Sequence, residues 1–312
     1  MRPLISIVVN VTDYEKPSDL ARCLESVRGF ADEIVVIDME TKSGFSEIAK
    51  NYGAKVFPHR YMDCVEPARN YGISKAKGRW VLVLDPDEKV TKFLAKKLQK
   101  IARGKNNYDC VLVPRKNIIF GKWLQNSRWW PDYLPRFFKK GKIVWPKLIH
   151  QQPNLNDKII YTLPDNEKFS IIHYNYRSLD QFLTRAKRYA EVQARELIKE
   201  KKYQFSNKDL FLKPLGEFLS RFFNGEAYKD GVHGLALSLL QAYTVMLIYL
   251  KVWETGKYAQ KPLETTRVKE IFSEAVYEIE YWRDDFLLKS SGKVLLPLKK
   301  WLLKVRAKSL RL

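Results

Sequence analysis

A doubly wound α/β fold with a mostly parallel sheet, followed by a helical C-terminal region, is the architecture this 312-residue sequence predicts. Three observations predict it. Short β-branched runs alternate with helix-spaced apolar residues from position 4 to position 113, the pattern of a parallel sheet covered by helices. The fourth strand-like run, WVLVL at 80–84, is continuously apolar, as a strand covered on both faces must be. Beyond residue 179 the apolar residues recur with helical spacing.

The first strand is read over 4–11, where a β-branched run ends in turn formers, and Leu20, Cys23, Leu24 and Val27 then mark a helix. EIVVID at 33–38 is the second strand. A helix over 45–51, a strand over 54–57 and a helix over 68–76 lead to the strand at 80–84. A lysine-faced helix over 90–102 and a strand over 108–113 follow. From 114 the sequence is aromatic and irregular, which predicts short strands and loops completing a first domain over 1–178.

Residues 179–312 read as a second, helical and basic region. Leu179, Phe182, Leu183, Ala186, Tyr189 and Ala190 open it, with further helices over 208–222, 232–253 and 267–286. The uncharged run at 235–250 is shorter than the roughly 20 residues that cross a bilayer, so a buried or interfacial helix is expected there. The tail VLLPLKKWLLKVRAKSLRL mixes Leu, Val and Trp301 with Lys and Arg. It either lies on an anionic membrane or packs as a basic helix on its own protein.

The 56 Lys+Arg against 35 Asp+Glu give a net charge of +21, which favours polyanionic partners and says nothing of the fold. Nucleic acid, phosphorylated sugar donors and anionic membranes all qualify. For nucleic acid, the zinc ligands, glycine-rich single-strand platform and basic recognition helix are missing. Three widely spaced cysteines, Cys23, Cys64 and Cys110, suggest neither a disulfide framework nor a zinc cluster. The N-terminal apolar run is too short for a signal peptide and breaks at Asp13, so a cytoplasmic location is expected. No glycine lies between residues 10 and 17, which argues against dinucleotide oxidoreductases and P-loop enzymes.

The chemistry-bearing stretch is GRWVLVLDPDEKV, where a buried strand ends in Asp85, Asp87 and Glu88. Like charges at that spacing cost energy unless a cation or hydrogen-bond donors compensate. In an extended segment both aspartates would share a face, although Pro86 can turn the chain. The cluster is either a metal–diphosphate site or a solvated acidic turn capping the next helix. Its place beyond a strand's carboxyl end, where ligands bind in such sheets, favours the former. Asp38 closes EIVVID in the equivalent place, either to meet a nucleobase or ribose or to cap the following helix.

With these residues in place, ADEIVVID, IAKNYGAKV and EPARNYGISKAKGRWVLVLDPDE together resemble family 2 glycosyltransferases of GT-A fold. FGKWLQ, WWPDYLPRFF, IHYNYRSLDQFLTRAKRY and FLKPLGEFLSRFF followed by KDGVHGL extend the resemblance over most of 4–250. The subgroup it resembles is the lipopolysaccharide-core β-1,4-glucosyltransferases. The resemblance implies an inverting transfer of a hexose from a nucleotide sugar, UDP-sugar favoured, with Mg²⁺ or Mn²⁺, to a glycan or lipid-linked acceptor. It implies that Asp38 faces the base or ribose, Asp85 the ribose or donor sugar, and Asp87 the metal, with Glu88 supporting the loop.

The sequence departs from the family pattern in three places. His150-Gln151 stands where relatives carry His-Glu, and Gln cannot accept a proton, so Asp132 is the first substitute base, with Asp157, Asp165 and Glu167 behind it. Asn10-Val11-Thr12-Asp13 replaces the usual Asn-Glu, leaving Asn10 and Asp13 to meet the nucleotide. MET-KSG replaces the usual acidic loop after the second strand. His150 and His173 could each serve as metal ligand, diphosphate contact or base, or be structural. Arg69, Arg136 and Lys147 are either phosphate contacts or surface cations. Trp129, Trp130 and Trp145 are either a sugar-stacking acceptor wall or core. The missing glutamate and basic tail keep a catalytically idle membrane scaffold as an alternative.

Overall fold

The computed structural model of the chain describes residues 3–42, 44–61, 66–146, 152–199, 202–260 and 262–290. It divides into two compact units, Met1–Trp123 with Trp129–Asn175, and Leu124–Arg128 with Tyr176–Leu312.

In the first unit β1 (Ile5–Val11), α1 (Pro17–Val27), β2 (Glu33–Asp38), α2 (Phe45–Asn51), β3 (Lys55–Pro58), α3 (Glu66–Lys75) and β4 (Trp80–Leu84) form a wound parallel half. Then come β5 (Glu88–Val90), α4 (Lys92–Arg103), β6 (Cys110–Ile119), β7 (Lys122–Trp123), β8 (Asp132–Lys139), β9 (Ile160–Thr162) and β10 (Ile171–Tyr176). The sheet runs β3-β2-β1-β4-β8-β6-β10-β5, with β7 and β9 also paired to β6. This is a GT-A-like α/β sheet followed by C-terminal helices.

Period-two alternation sends side chains into two separate cores. Ile5, Ile7, Val9, Trp80, Leu82 and Leu84 pack with Leu20 and Leu24 of α1 and Leu94 and Leu98 of α4. Val8, Val35, Ile37, Val81 and Val83 pack with Ala68 and Ile73 of α3. Gly72 lets α3 lie close on the sheet, because a Cβ there would stand 2.6 Å from Val8 Cγ1 and 2.9 Å from Ile37 Cγ1. That close seat carries Arg69 over the end of β4.

Two features differ from the sequence reading. β4 is parallel to β1 on one side but antiparallel to β8 on the other, since the irregular aromatic stretch returns a strand between β4 and β6. The helix expected from 90 begins at 92, because Thr91 is its N-cap and Thr91 Oγ1 accepts from Leu94 N. Glu88–Val90 is instead a short strand paired antiparallel with β10, which sets Glu88 opposite His173.

The second unit holds α5 (Leu179–Lys199), α6 (Asn207–Leu219), α7 (Val232–Thr255) and α8 (Thr265–Ser290). α7 is longer than the uncharged run at 235–250, and of the two expected readings, buried or interfacial, a wholly buried helix is not what the structure has. The 24 residues of α7 are long and apolar enough, by length and composition, to cross a membrane, and only 22% of its most apolar window is buried. Val232, Leu235, Leu239 and Tyr243, at helical spacing along one stripe, are exposed. The basic tail at 294–312 lies outside the described residues.

Candidate functional site

Three acids end a buried strand because the backbone turns on them at once. Glu88 N donates to Asp85 O at 3.0 Å with Pro86 in the second turn position, its fixed φ preset for such a turn. The turn parts the carboxylates. Asp85 takes Arg69 Nη2 on Oδ1 at 2.7 Å and Arg136 Nη2 on Oδ2 at 2.5 Å. Glu88, fully buried, accepts Asp85 N on Oε2 at 2.9 Å, while its Oε1 faces Arg136 Nη2 at 2.9 Å and Arg115 Nη1 at 3.4 Å. Arg115 goes on to Asp132 Oδ2, with Nε at 2.8 Å and Nη2 at 2.6 Å.

Arg69, Arg115 and Arg136 thus interleave Asp85, Glu88 and Asp132, and their formal charges cancel. Burying an ion costs several kcal/mol, an expense that pairing with hydrogen bonds offsets. Burial alone would raise the Asp85 carboxyl, but Arg136 and Arg69 outweigh it and hold the group well below the usual carboxylate range. Burial likewise works against the charge on Arg136, and Asp85 and Glu88 overcome it, leaving the guanidinium firmly protonated.

Asp87 points elsewhere. Its Oδ1 lies 3.5 Å from His173 Nε2, both side chains only 8% exposed, and its backbone oxygen accepts from Tyr174 N at 2.9 Å. The other ring nitrogen, His173 Nδ1, is 2.7 Å from Asn117 Oδ1. Asn117 Nδ2 reaches Trp129 O at 2.9 Å and Asp132 Oδ2 at 3.2 Å. Among the described residues every side-chain bond that Asp132 makes ends on Oδ2, which leaves Oδ1 uncommitted.

The corner at the ends of β1 and β2 is built differently. Asp38 Oδ1 accepts from Thr41 N and Oγ1 at 2.9 and 2.8 Å, and Oδ2 from Ser46 Oγ at 2.6 Å, so its carboxylate ties the loop to α2. Asp13 Oδ1 accepts from Lys42 N at 2.9 Å. Asn10 is 6% exposed, and among the described residues neither its Oδ1 nor its Nδ2 has a hydrogen-bond partner. An unpaired buried amide costs about 1–3 kcal/mol, and at a strand's carboxyl end it is a group that a ligand can satisfy.

The remaining predicted residues fall out as follows. Trp129 and Trp130 are half-buried, Trp130 edge-on to Trp123 at 5.2 Å. Trp145 corrects the expectation of an acceptor wall. It is 4% exposed, packs on Phe138 and is bracketed by both amide ends of Asn70, so its ring serves the core. Asp157 pairs with Lys158 and Glu167 with Lys116, while Asp165 is exposed. His150, Gln151 and Lys147 lie outside the described residues. Cys23 and Cys110 are buried free thiols; burial raises both, Cys110 to about 12, and leaves them inert.

Among the described residues no group of three or more His, Cys, Asp or Glu is arranged to hold a metal. The Asp87–His173 pair nevertheless fits a divalent ion bound with a diphosphate. A carboxylate oxygen and an imidazole nitrogen face each other, and such an ion needs only one or two protein ligands when phosphate oxygens supply the rest. Asp85 is less suited, since arginines occupy both of its oxygens.

Sequence reasoning did not single out Arg115 and Asn117. A signal was present: PRKN places Arg115 and Asn117 two apart, hence on one face, inside a strand that is otherwise apolar but for Lys116 between them.

The family model Glycosyl transferase family 2 matches residues 6–159. An uncharacterized glycosyltransferase of Rickettsia typhi is 26% identical over 248 residues, 75% of this chain and 82% of that protein. The lipopolysaccharide core biosynthesis glycosyltransferase LpsC of Rhizobium meliloti is 20% identical over 272 residues, 84% of this chain and 97% of its own. Among solved structures, the mannosyltransferase PcManGT from Pyrobaculum calidifontis, in complex with GDP-Man and Mn²⁺, aligns with TM-score 0.43 and 12% identity, covering 93% of this chain and 89% of that one.

Proposed function

From the premise that this chain is a glycosyltransferase homologous to family 2 over residues 6–159, we propose that it is an inverting, metal-dependent hexosyltransferase. Its donor would be a nucleotide sugar, UDP-linked by preference, and its acceptor a glycan or lipid-linked saccharide. The observation that carries the reading is the Asp87 Oδ1–His173 Nε2 pair, 3.5 Å apart at the end of the central strand. In this reading Asp87 and His173 hold Mg²⁺ or Mn²⁺. When bound, the ion neutralises charge on the departing nucleoside diphosphate.

The chain's own residues supply the rest. Asp132, with Oδ1 uncommitted, accepts the proton of the acceptor hydroxyl in place of Gln151. As that proton leaves, the acceptor oxygen forms its bond to C1 while the C1–phosphate oxygen bond breaks in line, the diphosphate departing with the electron pair. Asn10 takes a hydrogen bond from the nucleoside, and Asp38 and Asp13 hold the loop against it. Arg69 and Arg136 keep Asp85 ionised beside the diphosphate. Trp129 and Trp130 offer faces to the acceptor sugar.

The test is turnover of UDP-, GDP- and dTDP-sugars with Mn²⁺, Mg²⁺ or chelator. One donor class should be consumed with metal and spared with chelator. Turnover indifferent to chelator would contradict the metal claim, and no turnover of any donor would contradict the activity.

For the second unit we infer a role at an anionic membrane, with the enzyme on the cytoplasmic face. The exposed apolar stripe of α7 and the +21 charge support it. Flotation with anionic vesicles should carry the protein upward, whereas equal behaviour with and without vesicles would remove this role.

A further inference from the structure

We propose that Asn117 is a positioning residue that fixes both the ring form of His173 and the free oxygen of Asp132. The inference rests on the glycosyltransferase reading for its kinetic consequences but not for its structural one. Asn117 is wholly buried on β6, between the two groups. One end of its amide faces two acceptors, the Trp129 carbonyl at 2.9 Å and Asp132 Oδ2 at 3.2 Å. Only the NH₂ end, with two hydrogens, can lie there, because an oxygen would face a carbonyl and a carboxylate without a proton between them. The opposite end is therefore Oδ1, an acceptor, and it lies 2.7 Å from His173 Nδ1.

An acceptor at that distance requires the proton on Nδ1. In the neutral ring Nε2 then carries the lone pair, and it is Nε2 that faces Asp87 Oδ1. Nε2 and the Asp87 carboxylate are thereby aimed at one another, an approach that a proton or a divalent cation completes. A metal-ligating histidine commonly has its other N–H held in this way, and loss of the holding group typically lowers metal affinity about 10–100-fold. At the same time Asn117 and Arg115 converge on Asp132 Oδ2, so the proton-accepting oxygen is Oδ1. One amide thus couples the orientation of the candidate metal ligand to that of the candidate base.

The test uses the full chain and the variants Asn117→Leu, which keeps the volume without the amide, and Asn117→Asp, which keeps an acceptor for His173 but sets an anion beside Asp132. Proton-detected ¹⁵N spectra of histidine-labelled protein, assigned with His173→Gln, read the ring form directly. The wild type should show a proton on His173 Nδ1. Asn117→Leu should lose that form, weaken Mn²⁺ binding in the presence of UDP about tenfold by paramagnetic resonance of free Mn²⁺, and lower kcat. Asn117→Asp should keep the ring form and the Mn²⁺ affinity while kcat still falls.

Wild-type His173 with no proton on Nδ1 would overturn the proposal. So would an Asn117→Leu protein with unchanged ring form and Mn²⁺ binding, or two variants losing activity only in proportion to folded protein. Should Asn117→Leu fail to fold, the wild-type spectrum and Asn117→Asp decide the matter. A wild type with the expected ring form but no turnover of any nucleotide sugar would sink the function and leave the ring assignment standing.

Discussion

At the carboxyl ends of β2 and β4 an aspartate closes an apolar strand, yet the two corners solve the cost of that carboxylate in opposite ways. Asp38 is satisfied by neutral donors of its own loop, Thr41 and Ser46, and the neighbouring Asn10 amide is left buried and unpartnered among the described residues. Asp85 is satisfied by two arginines from distant segments, and the network passes through Glu88 and Arg115 to Asp132. Local hydrogen bonds make the first corner a shaped loop with one vacancy in its bonding. Buried ion pairs make the second a rigid charged frame, beside which Asp87 faces His173. A strand-end acid therefore acquires its role from what the fold brings to it, not from its place in the strand.

The largest effect that separates the corners is kinetic. Asp132→Asn should lower kcat by about 10²–10⁴-fold, the usual span for a lost general base, with donor affinity unchanged. A variant that kept full kcat would take the base out of this frame. Next comes the frame itself. Arg136→Met leaves Asp85 and the buried Glu88 short of a cation and should cost about 3–5 kcal/mol in urea unfolding, as for a broken buried pair. A loss below about 1 kcal/mol would mean the pairs behave as surface ones.

A carboxylate at the other end of β2 gives an intermediate case. Glu33 accepts from Ser6 Oγ and Lys77 N, both at 2.6 Å, and from Lys55 Nζ at 2.9 Å. Burial would raise its pKa, but these bonds outweigh burial and hold it below the ordinary glutamate value. Being depressed in the folded state, the group adds stability above its unfolded pKa and loses it as pH falls through the folded value. Glu33→Gln should thus cost about 1–3 kcal/mol at pH 7, and its melting curve should approach that of the wild type as acid protonates Glu33 below the ordinary glutamate range. A gap that widened in acid would reverse the assigned sign.

The smallest effect belongs to Asn10. Asn10→Ala removes an orphaned amide, so the melting temperature should hold or rise while UDP binding weakens about tenfold, the loss of roughly one good hydrogen bond. Lower stability with unchanged UDP affinity would show that the amide serves the fold alone.

The parallel half of the sheet was legible in the sequence because doubly covered strands are continuous apolar runs, and EIVVID and WVLVL carry that signature unaided. The acidic turn was legible too, as charge placed where a buried strand stops. What local periodicity could not convey is the company these residues keep. Arg115 meets Glu88 across 27 positions and His173 meets Asn117 across 56, through the antiparallel returns of β8 and β10 that no short window encodes. Trp145 misled for a related reason: an aromatic in an irregular stretch looks the same whether its face is open or pressed on Phe138.

The central claim is that Asp87 and His173 hold a cation against a donor's diphosphate, and calorimetry of UDP binding with and without Mn²⁺ tests it most directly when wild type and Asp87→Ala are compared. The account predicts that Mn²⁺ tightens UDP binding in the wild type and has no such effect in the folded variant. Equal tightening in both proteins would place the cation elsewhere and contradict the account.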